Sequence, residues 1–137
     1  MNCIFCADVS RAGDVLVEDD FLWIVLHEDW AVRGHTMIVW KKHVENVSDL
    51  SAGEHAHFAV VHHRVERVLL AATGADRAVL LKLGIATPHL HLHIYPVPRA
   101  LDRHAVMRAI DAGVREPRDE ALVSQLRALL DSNAPTE

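Results

Sequence analysis

Short apolar blocks and strict apolar–polar alternation fill most of the first hundred positions. Residues 14–29, DVLVEDDFLWIVLHED, hold two apolar runs on either side of Asp19-Asp20. That is a hairpin pattern, with an acidic turn in place of Asn-Gly. GHTMIVWKKH at 34–43 predicts a third strand rich in β-formers, and Gly34 marks the turn before it. The period then changes. Ser51 and Glu54 fit a capping box, in which each side chain satisfies an orphan amide of the first helical turn. Phe58, Val61, Val65, Val68 and Leu69 recur at helical spacing, and Gly74 is a stop signal. RAVLLKLG at 77–84 and HLHLHIYPV at 89–97 return to the strand pattern, with Pro96 and Pro98 ending the second or confining that end to a sheet edge. Two further helices are expected, over 101–114 and 118–131, separated by Glu116-Pro117. Strands, helix, strands, helices is the order of an α+β fold with a mostly antiparallel sheet of about five strands. No repeat and no clear linker interrupts it.

The fifth predicted strand carries an anomaly. In TPHLHLHIYPVP, at 87–98, His89, His91 and His93 alternate with Leu90, Leu92 and Ile94. Side chains on a strand alternate between faces, so the three imidazoles share one face and the aliphatics turn to a core. Such a row can bind a metal, bind phosphate when protonated, or supply a nucleophile.

Composition narrows the field. A chain of 137 residues suits one domain with a single core. The net charge of −5 gives no general attraction to nucleic acid, although a local site can still hold phosphate. No apolar run approaches the roughly 20 residues of a membrane span. The opening MNCIFCADVSRAGD lacks the basic start and apolar core of a signal peptide, so the cytoplasm is the expected location. Only the tail DSNAPTE is expected to be disordered. The only two cysteines, Cys3 and Cys6, have a C-x-x-C spacing that favours metal or redox use over a disulfide scaffold.

HLHLHIY resembles the signature of the histidine-triad (HIT) superfamily of nucleotide hydrolases and transferases. Two other segments agree with it: CIFC at 3–6 is similar to the opening of many bacterial members, and GHTMIVWKKHVENVSDLS at 34–51 to their strand-to-helix segment. The resemblance spans about residues 1–98. It implies a small antiparallel meander with one long helix, usually paired as a homodimer. Residues 1–100 would form this nucleotide-binding domain, and 101–137 a C-terminal helical extension packed on it. The stripes Val106, Met107, Ile110 and Leu122, Leu126, Leu129, Leu130 suit core or dimer packing.

The resemblance also implies chemistry. His91 would attack the α-phosphorus of a nucleotide derivative, such as a nucleoside phosphoramidate or dinucleoside polyphosphate, to give a nucleotidyl-histidine resolved by water or phosphate. His93 would donate to the phosphate oxygens, and His35 would lie near the nucleophile and orient it. Cys3, Cys6, His43 and His89 would hold a structural zinc in a closed site. Two departures accompany the match. Members often carry a polar phosphate-cradling loop before the row. Here Gly84 keeps the glycine, Ala86 stands at the hydroxyl position, and Thr87 is the replacement candidate. Counting back from His35 places His27, followed by Glu28 and Asp29, where members carry an aspartate for the ribose hydroxyls. Trp30 is expected to pack. His55, His57, His62, His63 and His104 read as solvated helix residues. Two other readings remain open at this level: a zinc-dependent hydrolase with His89, His91 and His93 at an open metal, and a nucleotide-binding protein with little catalysis.

Overall fold

In a computed structural model, the described residues are 3–28, 30–112 and 117–131. Asp29, Glu116 and the tail from 132 onward, each named above, lie outside them. Five strands form one antiparallel sheet in the order β1-β2-β3-β5-β4: β1 Gly13–Glu18, β2 Leu22–His27, β3 Thr36–Trp40, β4 Arg77–Leu81 and β5 His91–Val97. The acidic hairpin forms as expected, because the Asp19 carboxylate accepts from the Phe21 and Leu22 amides at 2.7 and 2.8 Å and closes the turn. This α+β meander is the architecture the pattern and the resemblance both predict.

Helix α2, Ala52–Thr73, starts at the expected capping box: Ser51 Oγ accepts from Glu54 N, and the Glu54 carboxylate accepts from Ser51 N. It stops at Gly74, in the left-handed region at φ 72°, whose amide closes on Leu70 O. Phe58, Val65 and Leu69 from α2 pack on Leu22, Ile24, Leu26, Ile38, Trp40 and Ile94, one face of the sheet. Helix α4, Glu120–Asp131, adds Leu122, Val123, Leu126 and Leu130 to this same core, while Leu129 is exposed. Trp30 is buried in it too, as expected.

The opposite face belongs to the site. There Val25, Met37 and Val39 meet Cys3 and Phe5 of an N-terminal segment, whose short helix α1 runs Ile4–Asp8. Helix α3, Arg103–Ala112, covers the far end through Val106 against Tyr95 and Val97. Between these two covers β2, β3 and β5 turn His27, Met37, His91 and His93 outward. The N-terminal segment reaches the sheet through Gly13, where a Cβ would stand 2.0 Å from Leu26 O; only glycine lets the backbones approach so closely.

Three local expectations change. The fourth strand ends at Leu81 rather than 84, so 82–88 becomes a loop. The fifth begins at His91, since the His89 amide turns back to Thr87 O at 2.8 Å and the Leu90 amide goes to Val44 O at 2.6 Å, off the ladder. His57 is not merely solvated: its Nε2 lies 2.7 Å from Asp19 Oδ2, tying α2 to the β1–β2 turn.

Candidate active site

The row of histidines divides where the strand begins. His89 precedes β5, and its Nε2–H donates to Trp40 O at 2.5 Å. That fixes the tautomer and turns Nδ1 toward three other donors: Cys3 Sγ at 3.3 Å, Cys6 Sγ at 3.5 Å and His43 Nδ1 at 3.0 Å. Cys6 Sγ and His43 Nδ1 are 3.3 Å apart, and all four donor atoms lie within 4.8 Å of one another. A tetrahedral zinc with bonds of about 2.0–2.3 Å requires donor separations of roughly 3.3–3.8 Å, close to those seen. The electrostatics agree. The Cys6 thiol is pushed up from its usual range by burial and then by its neighbour Cys3. A divalent cation between the two sulfurs would reverse that penalty. The carbonyl behind His89 is the outer-sphere partner a metal-bound imidazole needs. Two thiolates and two imidazoles with no position left open fit a structural zinc, the site the resemblance implied for Cys3, Cys6, His43 and His89.

His91 is the first residue of β5, opposite Val39 of β3. Its Nδ1–H donates to the His89 carbonyl at 2.6 Å, so the lone pair on Nε2 points away from the backbone. Phe5 packs on the ring at 4.8 Å between centroids. Burial holds His91 below the ordinary histidine range against the support of the His89 carbonyl, and the charges of Lys82 and His27 add smaller downward contributions. A neutral imidazole with a fixed tautomer is a ready nucleophile.

His93 lies two residues on, its ring 4.9 Å from that of His91. Its Nδ1 is 2.8 Å from His35 Nε2. His35 was expected beside the nucleophile; its hydrogen bond goes to His93 instead, because β3 pairs Met37 with His93 and leaves His35 one position past the last ladder pair, Thr36–Ile94. The His35 ring is held between His27 at 4.2 Å and Tyr95 at 4.0 Å, both near-parallel. The contact leaves His93 Nε2 out of the pair, and the tautomer in which His35 donates puts a proton on that atom.

Burial pushes His93 down to about 3, aided by His91 and His27. The rings around it among the described residues are imidazoles and the Tyr95 phenol, itself pushed up to about 12 by burial; none of these rings supplies a negative charge near neutrality. His93 is therefore expected to stay neutral at pH 5, which long-range 1H–15N NMR of the imidazole checks; a protonated ring at pH 5 would contradict the geometry. Stability follows. Between the unfolded value of about 6.5 and the folded value of about 3, the unfolded chain binds the proton and the native chain does not. This contribution is whole above pH 6.5 and shrinks as pH falls, by about 1.4 kcal/mol per unit.

These side chains line one cleft of about 600 Å³. It brings together His27, Gly84, Thr87, His91 and His93, with His35 behind His93. The sequence reading missed three lining or neighbouring groups. Phe5 lines the cleft from α1, a helix of five residues, too short to show a period. Arg11 lines it from the turn before β1. Lys82 was read as a strand residue, whereas the early end of β4 places it on the cleft loop, its Nζ 3.8 Å from where a Cβ on Gly84 would stand.

A histidine pair at the start of an inner strand, with a Cys2His2 cluster behind it, agrees with the histidine-triad resemblance. The HIT domain model matches residues 10–99, and the chain belongs to that family. An uncharacterised HIT-like protein of Mycobacterium tuberculosis is 28% identical over 137 residues, covering 95% of this chain and 94% of the relative. A crystal structure of a histidine triad protein from Sinorhizobium meliloti superposes with a TM-score of 0.76 at 20% identity, over 91% of this chain and 92% of that one. A zinc-bound histidine triad family protein from Mycobacterium smegmatis superposes with a TM-score of 0.68 at 27% identity, over 96% and 94% of the two chains. Family membership supports a nucleotide-binding or nucleotide-hydrolysing role in general terms. Among the described residues, no helix is long and apolar enough to cross a membrane.

Proposed function

We propose that this protein is a nucleotidyl hydrolase or transferase acting at the α-phosphate of nucleotide derivatives through His91. The observation that carries the reading is the 2.6 Å bond from His91 Nδ1 to the His89 carbonyl, which leaves Nε2 as the attacking atom. Nε2 forms the bond to phosphorus while the bond to the leaving group breaks, its electron pair departing with that group. Nδ1 keeps its proton, and the His89 carbonyl stabilises the positive ring of the nucleotidyl-histidine. His93 Nε2–H donates to the phosphate oxygens as their charge grows. Water or phosphate then takes the nucleotidyl group, and His91 leaves neutral. His27, Gly84 and Thr87 complete the substrate contacts in this reading. The family arrangement also makes a homodimer the expected assembly, and β4 with its exposed Leu80 is the free edge for it.

A second reading is a nucleotide-binding protein with little turnover. The cleft loop favours it: Ile85, 82% exposed, and Ala86 offer no side-chain donor to phosphate. An open zinc enzyme is disfavoured. His89 turns to the cysteines, while the Nδ1 atoms of His91 and His93 are already engaged.

The test is a substrate panel of adenosine phosphoramidate, guanosine phosphoramidate and diadenosine tetraphosphate, with intact mass spectrometry of acid-sparing quenches. Turnover with a nucleotidyl adduct on the wild-type chain is expected. Tight nucleotide binding with neither turnover nor adduct would establish the second reading instead.

A further inference from the structure

Residues 83–87 form one wall of the cleft, yet Thr87 is the only side chain among them able to donate to an anion, and Lys82 stands just before them. Lys82 is half-buried, with Nζ over Gly84, and its charge reaches His91. Arg11 contributes to the same cleft from the N-terminal segment. Some cations elsewhere pair with carboxylates: Arg33 with Asp119, Lys41 with Glu18, Arg118 with Asp14. Among the described residues Arg11 and Lys82 have no such partner, in a chain with 19 acidic and 14 basic side chains. Glu28 is the single carboxylate among the lining residues.

We propose that Lys82 and Arg11 form an anion subsite beside His91 that holds phosphates on the leaving-group side. The site then favours a substrate whose leaving group itself carries phosphate over a nucleoside phosphoramidate with a single phosphorus. The α-phosphate needs only the donors at His93 and the loop amides. Two full positive charges set beside it serve a ligand with several further anionic oxygens. This assignment rests on the proposed function for its direction relative to the nucleophile, but the subsite itself does not.

Calorimetric titration of the metal-loaded protein with inorganic tripolyphosphate tests the subsite without requiring turnover. Wild type and His91→Asn are expected to bind it. Lys82→Ala and Arg11→Ala are each expected to weaken binding about tenfold, and Lys82→Arg to restore most of the loss. In kinetics, the wild-type preference for diadenosine tetraphosphate over adenosine phosphoramidate is expected to fall about tenfold in Lys82→Ala. Equal tripolyphosphate binding by wild type and both alanine variants, or none by wild type, would overturn the subsite. Binding that depends on both cations in a protein that turns over no nucleotide would uphold the subsite and remove the proposed function.

Discussion

His91→Asn is expected to lower kcat by about 10⁴-fold or more on any substrate the wild type turns over, with fold and metal content retained. Asparagine can keep a hydrogen bond to the His89 carbonyl from its amide, so the local backbone has little reason to move. What it loses is the nucleophilic lone pair on Nε2. Losing a covalent nucleophile typically costs on the order of 10⁴–10⁶ in kcat, about 5–8 kcal/mol of barrier, because neighbouring groups cannot take over bond formation. His93 is the only other imidazole on the strand, and it does not substitute: its Nδ1 is engaged by His35, and in the proposed reading its Nε2 donates to the phosphate. His93→Asn is expected to cost less than His91→Asn, since it removes a donor to the phosphate and leaves the attacking atom. Comparing the two in single-turnover experiments separates the roles. Equal losses, with the adduct still formed on the His91 variant, would place the nucleophile elsewhere.

Much of this was legible before the structure, for identifiable physical reasons. Strong periods survive into the fold. The α2 stripe from Phe58 to Leu69 and its Ser51–Glu54 box set a helix whose ends fall where the capping residues stand. The zinc ligand set was legible through the histidine-triad resemblance, since the C-x-x-C spacing alone left metal and redox use both open. That His91 and His93 share one face was legible because alternation on a strand has one geometric meaning. The misplaced parts are those decided by contacts distant in sequence. The departure of His89 and Leu90 from β5 depends on Val44 O and Thr87 O, which no local pattern announces. The partner of His35 depends on register between β3 and β5, and a shift of one residue exchanges faces. Lys82 looked like a strand residue because Leu80, Leu81 and Leu83 surround it; only the loss of pairing after Leu81 puts it on the loop beside the cleft.

Removing the metal is expected to be the largest single perturbation of stability. Treatment with a chelator, or Cys6→Ser, should abolish a stoichiometry of one zinc per chain and lower Tm by roughly 10–15 °C, for a linkage energy of about 4 kcal/mol. Small zinc modules owe their whole fold to the metal, on the order of 10–16 kcal/mol. Here the share is smaller, since the core between the sheet and helices α2 and α4 contains none of the four ligands. The loss should be local. Cys3 and Phe5 are held on the sheet face by Val25, Met37 and Val39, a small cluster that relies on the N-terminal segment staying in place. Freed from the metal, that segment would withdraw Phe5 from His89 and His91, with which its ring is in contact. The same residue joins the two sites: the His89 imidazole is a ligand, and its carbonyl holds the His91 tautomer. Metal-free protein is therefore expected to show amide exchange first around residues 3–12 and 87–91, while the α2 amides remain protected. If Cys6→Ser retains full zinc and an unchanged Tm, the four residues are not the metal site. If the metal is lost and protection falls uniformly across the sheet and α2, the cluster supports the whole core rather than the nucleophile's strand.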